Sequence, residues 1–280
     1  MDLQNTNTNV EGKELLNHGK TLRLHTGNLV NRNRLKKKCP GSPSEELRDC
    51  IQATLSDWLS TAKPTSTVSG GFPDTLDCSI PEATDAITPE EREEVKISAA
   101  KLFLCESGQS AIRDAVETAC QTLAVSQLDS VIIAPPGPVE GDGRSLAHLQ
   151  PAWEELESLV RKQKIAAIGT SDLDKELLEQ LYNWAQVKPS SNQVNLASCC
   201  VMPPDLTAFA KEFDIQLLTH SDPKELMSTA TFQEAMQEGA AGLSATDWRL
   251  EWVLRYSVIV KSRGIIKSKG YLVSARRASP

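Results

Sequence analysis

Apolar residues in this chain fall into short runs, and most runs are followed by a longer stretch in which they recur every three or four positions. From Val95 onward the alternation is regular. KISAAKLFL reads as a strand. SAIRDAVETACQTLA reads as a helix with Ile112, Ala115, Val116, Ala119, Cys120 and Leu123 on one face. SVIIAP is the next strand, and the loop PPGPVEGDG leads to the helix PAWEELESLVRK, whose Pro151 suits a first helical position. IAAIG, NQVNLAS and IQLLTH read as strands, with DLDKELLEQLYNWAQ and DLTAFAKEF as the helices between them. The spacing predicts a closing helix, ATDWRLEWVLRY, and a last strand, SVIVKS.

The first third is less regular. Residues 1–20 read as a flexible polar arm, and Thr21–Leu29 as a first strand. SEELRDCIQATLSDWL is a helix with an imperfect capping box at Ser44, and Thr61–Pro73 is a Pro/Gly/Ser-rich loop. Strand starts fall near residues 22, 75, 97, 131, 165, 192, 215 and 257. Strand–helix repetition with short connections is the signature of parallel α/β architecture. Eight strands suit a (β/α)8 TIM barrel, expected over 21–280 as a single domain. An open doubly wound sheet is the alternative, but it would usually carry a phosphate loop. Neither G-x-G-x-x-G nor G-x-x-x-x-G-K-[ST] occurs.

Composition narrows the setting. A net charge of −7 argues against non-specific nucleic-acid binding. The longest run without a polar side chain is nine residues, Val131–Val139, against about 20 for a membrane span. The first residues show no apolar signal core. Seven cysteines without a C-x-x-C pair fit reduced thiols in the cytoplasm. Cys39, in a loop-like stretch, is the first choice for an exposed thiol, and Cys199 and Cys200 read as packing residues or redox thiols. Two basic stretches stand out: Arg32–Lys38, and Lys261–Arg277, which contains no acid. The second reads as a phosphate site, a dock for an acidic partner, or a solvated tail.

In a parallel barrel, chemistry sits at the C-terminal ends of the strands. Those ends bring forward Lys101, Ala134, Ser171 with Asp172, Gln193 with Asn195, His220, and Lys261 with Ser262. The four histidines are scattered, so no metal site is expected, and G-x-S-x-G is absent. His220 reads as a base, a stacking ring or a structural residue. Asp172 and Asp174 read as a carboxylate pair or as helix caps.

These strand-end residues sit in motifs that resemble the aldo-keto reductase superfamily. KIAAIGTSDL is similar to its strand-five R-x-I-G-V-S-N-F, SNQVNLAS to its N-Q-V-E-Y, QLDSVIIAPP to its D-L-Y-L-I-H-W-P and LRYSVIVKS to its closing V-x-P-K-S stretch. The resemblance implies a (β/α)8 barrel and NADP(H) as the cofactor. Ser171 and Gln193 would touch nicotinamide, His220 would replace a stacking Tyr, and Lys261, Ser262 and Lys267 would clamp the 2′-phosphate. It also implies a degenerate site. The family His falls on Ala134, the motif Asn on Asp172, and only Lys101 matches the family Lys. The proton-donating Tyr has no counterpart, because Tyr182 is the first tyrosine in the chain. Longer blocks, from TGNLVNRNRLKKKCPGSPSEELRDCIQATL to LRYSVIVKSRGIIKSKGY, resemble the regulatory (modifier) subunits of eukaryotic glutamate–cysteine ligase. That resemblance implies a non-catalytic chain that forms a heterodimer with the ligase's catalytic subunit. It would tune glutamate affinity and glutathione feedback in glutathione biosynthesis. An intersubunit disulfide is also implied, with no cysteine singled out. The alternatives are an NADP(H)-binding redox sensor without turnover, and an active reductase of unusual mechanism.

Overall fold

The computed structural model describes residues 12–30, 41–61, 72–79, 86–105, 109–134, 145–196 and 201–278. The basic run Arg32–Lys38, Cys39, Cys199 and Cys200 lie outside the described residues. The chain divides into two compact units. Residues 1–85, 226–251 and 270–280 form the first, and residues 86–225 and 252–269 the second. No linker announces this division in the sequence, because two long strands, β8 (Trp248–Val260) and β9 (Ile265–Arg277), each contribute to both units.

The first unit holds helix α1 (12–18), β1 (Thr21–His25), α2 (Pro43–Thr61), β2 (Thr75–Cys78) and α8 (Thr229–Gly239). Strand β1 pairs in parallel with β2 and antiparallel with β9, Leu24 standing opposite Val273. Residues 12–18, expected to be part of a loose arm, are helical because Leu16 is fully buried and the Arg277 guanidinium donates to the carbonyls of Leu16 and Asn17. Helix α8 escapes the sequence reading since its apolar face is only Phe232, Ala235 and Met236, completed by Gly239. That glycine permits a close approach: a Cβ there would lie 2.7 Å from the Gln52 carbonyl oxygen of α2. Arg48 of α2 and Glu238 of α8 pair at 2.7 Å.

The second unit is the regular one. Strands β3 (Val95–Leu104), β4 (Leu128–Ala134), β5 (Ile165–Ser171), β6 (Ser191–Asn195) and β7 (Gln216–His220) pair in parallel in chain order. Between them run α4 (Gln109–Thr122), α5 (Leu146–Arg161), α6 (Lys175–Trp184) and α7 (Pro204–Glu212), with the short α3 (Pro89–Arg92) ahead of β3. This is the α/β, parallel-strand succession expected of the barrel class. Pro151 lies inside α5, which starts five residues earlier than its sequence suggested.

The C-terminal part departs from expectation. ATDWRLEWVLRY is not a helix: its residues from Trp248 onward form β8, which runs antiparallel to β3, with Val260 opposite Val95 and Leu254 opposite Leu102. Trp248, Trp252, Val253 and Tyr256 fit a helical stripe as well as a strand, and the pairing of Trp252–Val260 with β3 decides for the strand. The basic C-terminal segment likewise becomes β9 instead of a tail.

Candidate functional site

Four of the parallel strands deliver side chains to one cluster. Lys101 comes from β3, directly opposite Arg255 of β8, just after a register shift between Ser98 and Lys101. Such irregularities re-aim the side chains that follow. Ser171 ends β5, and Asp172 follows it at φ 59°, a left-handed conformation that Asp tolerates better than most residues. The Asp172 amide donates to the Gln193 carbonyl of β6 at 2.8 Å, and Asp174, next in line, accepts from the Leu177 amide as the N-cap of α6. His220 ends β7, and Asp222 follows two residues later.

Asp222 is the hub. Its Oδ1 accepts from Arg255 at 2.6 Å, and its Oδ2 accepts from Arg255 at 2.9 Å and from Lys101 at 2.8 Å. His220 Nδ1 lies 3.3 Å from the same Oδ2. On the other side of the ring, His220 Nε2 meets the two oxygens of Asp172 at 2.9 and 3.0 Å. Asp172 also accepts from the Asn195 amide at 2.8 Å and the Ser171 hydroxyl at 3.0 Å, while the Asn195 side chain donates to the Asp222 carbonyl at 2.8 Å. Phe103 presents its ring to both cations, 5.1 Å from Lys101 Nζ and 5.5 Å from the Arg255 guanidinium.

Burial makes these contacts count. Lys101 and Asp222 are only 1% and 3% exposed, where an unpaired charge would be costly. Burial alone would raise the Asp222 carboxyl, but hydrogen bonds from His220, Arg255 and Lys101 overcome it and hold the group far below the usual carboxylate range. Asp172 follows the same logic: burial pushes it up, and His220, the Asn195 amide and Ser171 bring it down. The Lys101 amine is lowered by burial, against which the Asp222 contact works. Burial and Lys101 press the His220 ring toward neutrality, but the two flanking aspartates prevail and raise it.

Both carboxylate oxygens of Asp222 accept hydrogen bonds, and one of them takes the Lys101 ammonium. Of the three tyrosines, Tyr182 packs at a tilt against Phe213 with ring centroids 4.7 Å apart, Tyr256 is fully buried in β8, and Tyr271 donates its hydroxyl to Glu46 at 2.9 Å.

The fold thus brings together Lys101, Ser171, Asp172 and His220, with Gln193 alongside. Ala134 ends β4 opposite Phe103. Lys261, Ser262 and Lys267 are not part of the cluster. Because β8 is antiparallel, they lie by the N-terminal end of β3: Lys261 donates to the Glu93 carbonyl at 3.0 Å, and Lys267 pairs with Glu91 at 2.6 Å. The residues present therefore do not fit NADP(H) as a set. The phosphate clamp is at the wrong end of the strands, and Ser171 and His220 are bonded within the cluster. Gln193 alone keeps a buried Oε1 without a partner among the described residues. Sequence reasoning missed Asp222 and Arg255. Asp222 lies past its strand, and Arg255 was assigned to a helix.

A parallel β/α unit with a lysine and an aspartate at its strand ends is the framework of a reductase barrel. Residues 82–269 match the model of the Aldo/keto reductase family, and the chain belongs to that family. Within it, three relatives carry the name of a ligase regulatory subunit. The human glutamate–cysteine ligase regulatory subunit is 63% identical over 266 residues, covering 95% of this chain and 96% of that one. The mouse protein of the same name is 62% identical over 263 residues, covering 94% and 95%. A putative regulatory subunit of Schizosaccharomyces pombe is 31% identical over 123 residues, covering 44% of this chain and 42% of that one.

Proposed function

We propose that this chain is a regulatory subunit of glutamate–cysteine ligase, binding the catalytic subunit as a heterodimer in the cytoplasm and carrying no reductase activity of its own. The observation that carries this reading is 63% identity spread over nearly the whole length of a protein of that name. The cluster supports the non-catalytic part. A reductase needs a proton donor with a free path to the carbonyl, and loss of such a group typically costs 10²–10⁴-fold. Here Ala134 stands where the family resemblance puts a histidine, and Asp222 occupies Lys101.

Regulation then works as a coupling free energy. Binding of this chain shifts the catalytic subunit's affinities for glutamate and for inhibitory glutathione, typically by about 1–3 kcal/mol for such couplings. The test is a glutathione-inhibition curve of the purified catalytic subunit with and without one equivalent of this chain. A shift to higher inhibitor concentration is expected, and coincident curves overturn the reading.

A further inference from the structure

His220 closes β7, and its two ring nitrogens face different company. Nε2 meets both oxygens of Asp172, at 2.9 and 3.0 Å. The Ser171 hydroxyl, 3.5 Å from Nε2, donates to Asp172 at 3.0 Å. Asp172 is held ionised by these contacts and only accepts, so Nε2 carries a hydrogen whatever the charge of the ring. Nδ1 has both kinds of neighbour. The Asp222 backbone amide points its hydrogen at Nδ1 from 3.1 Å, and the Asp222 Oδ2 lies 3.3 Å away.

One nitrogen cannot serve both at once. In the neutral ring, Nδ1 keeps its lone pair and accepts from the amide. In the charged ring, Nδ1 bears a hydrogen of its own, which suits the carboxylate and opposes the amide. One added proton therefore exchanges a backbone hydrogen bond for an ion pair, beside a residue that is only 3% exposed. The other bonds decide which part moves. Arg255 grips the Asp222 carboxylate at 2.6 and 2.9 Å, Lys101 adds a contact at 2.8 Å, and the Asp222 carbonyl is held by Asn195 at 2.8 Å. What is left to turn is the peptide between Ser221 and Asp222.

That peptide leads to the surface. Ser221, Pro223, Lys224 and Glu225 are exposed, and Asp222 is the one buried residue among them. The charges around the ring come from four elements. Asp172 at the end of β5 and Asp222 beyond β7 favour the imidazolium, while Lys101 of β3 and burial oppose it. Arg255 of β8 meets the Asp222 carboxylate, and Asn195 of β6, opposite His220 in the strand register, is neutral. The balance raises the ring above its ordinary value, which moves the exchange toward neutral pH.

We propose that His220 is a proton-operated switch for the loop from Ser221 to Glu225. The neutral ring ties down the Asp222 amide. Protonation at Nδ1 releases that amide and turns the Ser221–Asp222 peptide, so the exposed part of the loop takes a second conformation at low pH. The switch needs no ligand and stands apart from the regulatory-subunit reading above.

The test is an NMR titration of the ¹⁵N-labelled full-length chain from about pH 9 to about pH 5, a range that spans histidine ionisation. At the alkaline end the ring should be protonated on Nε2 alone, with the Asp222 amide protected from hydrogen exchange. Through the titration Nδ1 should gain its hydrogen, and the protection factor of the Asp222 amide should fall at least about tenfold, as local opening predicts. The Ser221 and Lys224 amide signals should shift with the same midpoint, and stay flat in His220→Gln. A neutral ring protonated on Nδ1, or Asp222 protection unchanged across the ring's titration, overturns the switch. Loop shifts that persist in His220→Gln belong to another group and overturn it as well. The wild-type titration decides by itself should that variant fail to fold.

Discussion

Two ends of the same strands have opposite characters. At the C-terminal ends of β3, β5 and β7, polar groups are sunk into a cluster that satisfies itself: Lys101, Arg255 and His220 are answered by Asp222 and Asp172. At the other end of β3, beyond Val95 and Val260, the apolar side chains of Ile265 and Ile266 stand half exposed at the β8–β9 turn. In a reductase barrel one expects the reverse, with chemistry waiting at the C-terminal ends and little to do at the other. A site whose charges are mutually neutralised holds the fold together, whereas the turn adds exposed apolar surface.

The sharpest way to break this contrast is to remove the hub. Asp222→Ala leaves Lys101 and Arg255 without their shared counter-ion. Breaking a buried ion pair from one side typically costs about 3–5 kcal/mol, and chemical denaturation should show a loss of that size. A loss below about 1 kcal/mol would mean that the cluster is not structural. The helix contact in the first unit is expected to rank next. Gly239→Ala forces a methyl against the Gln52 carbonyl, and overpacking of this kind costs about 1–3 kcal/mol.

A pH series separates the cluster from the rest. His220 is raised in the folded protein, so its contribution is fully present below its unfolded value of about 6.5 and is lost as pH rises through the higher folded value. Asp172 is lowered, so its contribution is present above about 3.9 and is lost as pH falls through the lower folded value. The stability difference between wild type and His220→Gln should therefore be greatest near pH 6 and shrink toward pH 9. A difference that grows with pH would reverse the assignment. The smallest effect belongs to the turn: Ile265→Ser/Ile266→Ser should change stability by no more than about 0.5 kcal/mol, as exposed positions usually do.

Much of the second unit is legible in the sequence. Each strand from β3 to β7 is an apolar run followed by an amphipathic helix, and counting to the strand ends leads to Lys101, Ser171, Asp172, Gln193 and His220. Legibility fails where two periods coincide. Trp248, Trp252, Val253 and Tyr256 satisfy both helix and strand spacing, and taking the helix reversed the direction of the last strand. That one choice placed Lys261, Ser262 and Lys267 at the wrong end and hid Arg255. Asp222 was invisible for another reason: it lies in a polar loop, and only the folded chain shows it meeting residues from β3, β7 and β8. The division into two units is equally unmarked, since continuous strands run through it. Among the described residues no helix is long and apolar enough to cross a membrane, in line with the short apolar runs.

The central claim is that the chain acts on a partner enzyme and not on a substrate of its own. The glutamate saturation curve of the purified catalytic subunit, recorded alone and with a stoichiometric amount of this chain, tests it most directly. The account predicts a KM for glutamate at least about fivefold lower in the presence of the chain, the lower end of ordinary allosteric coupling. Superimposable curves at concentrations where the two proteins co-sediment would contradict it.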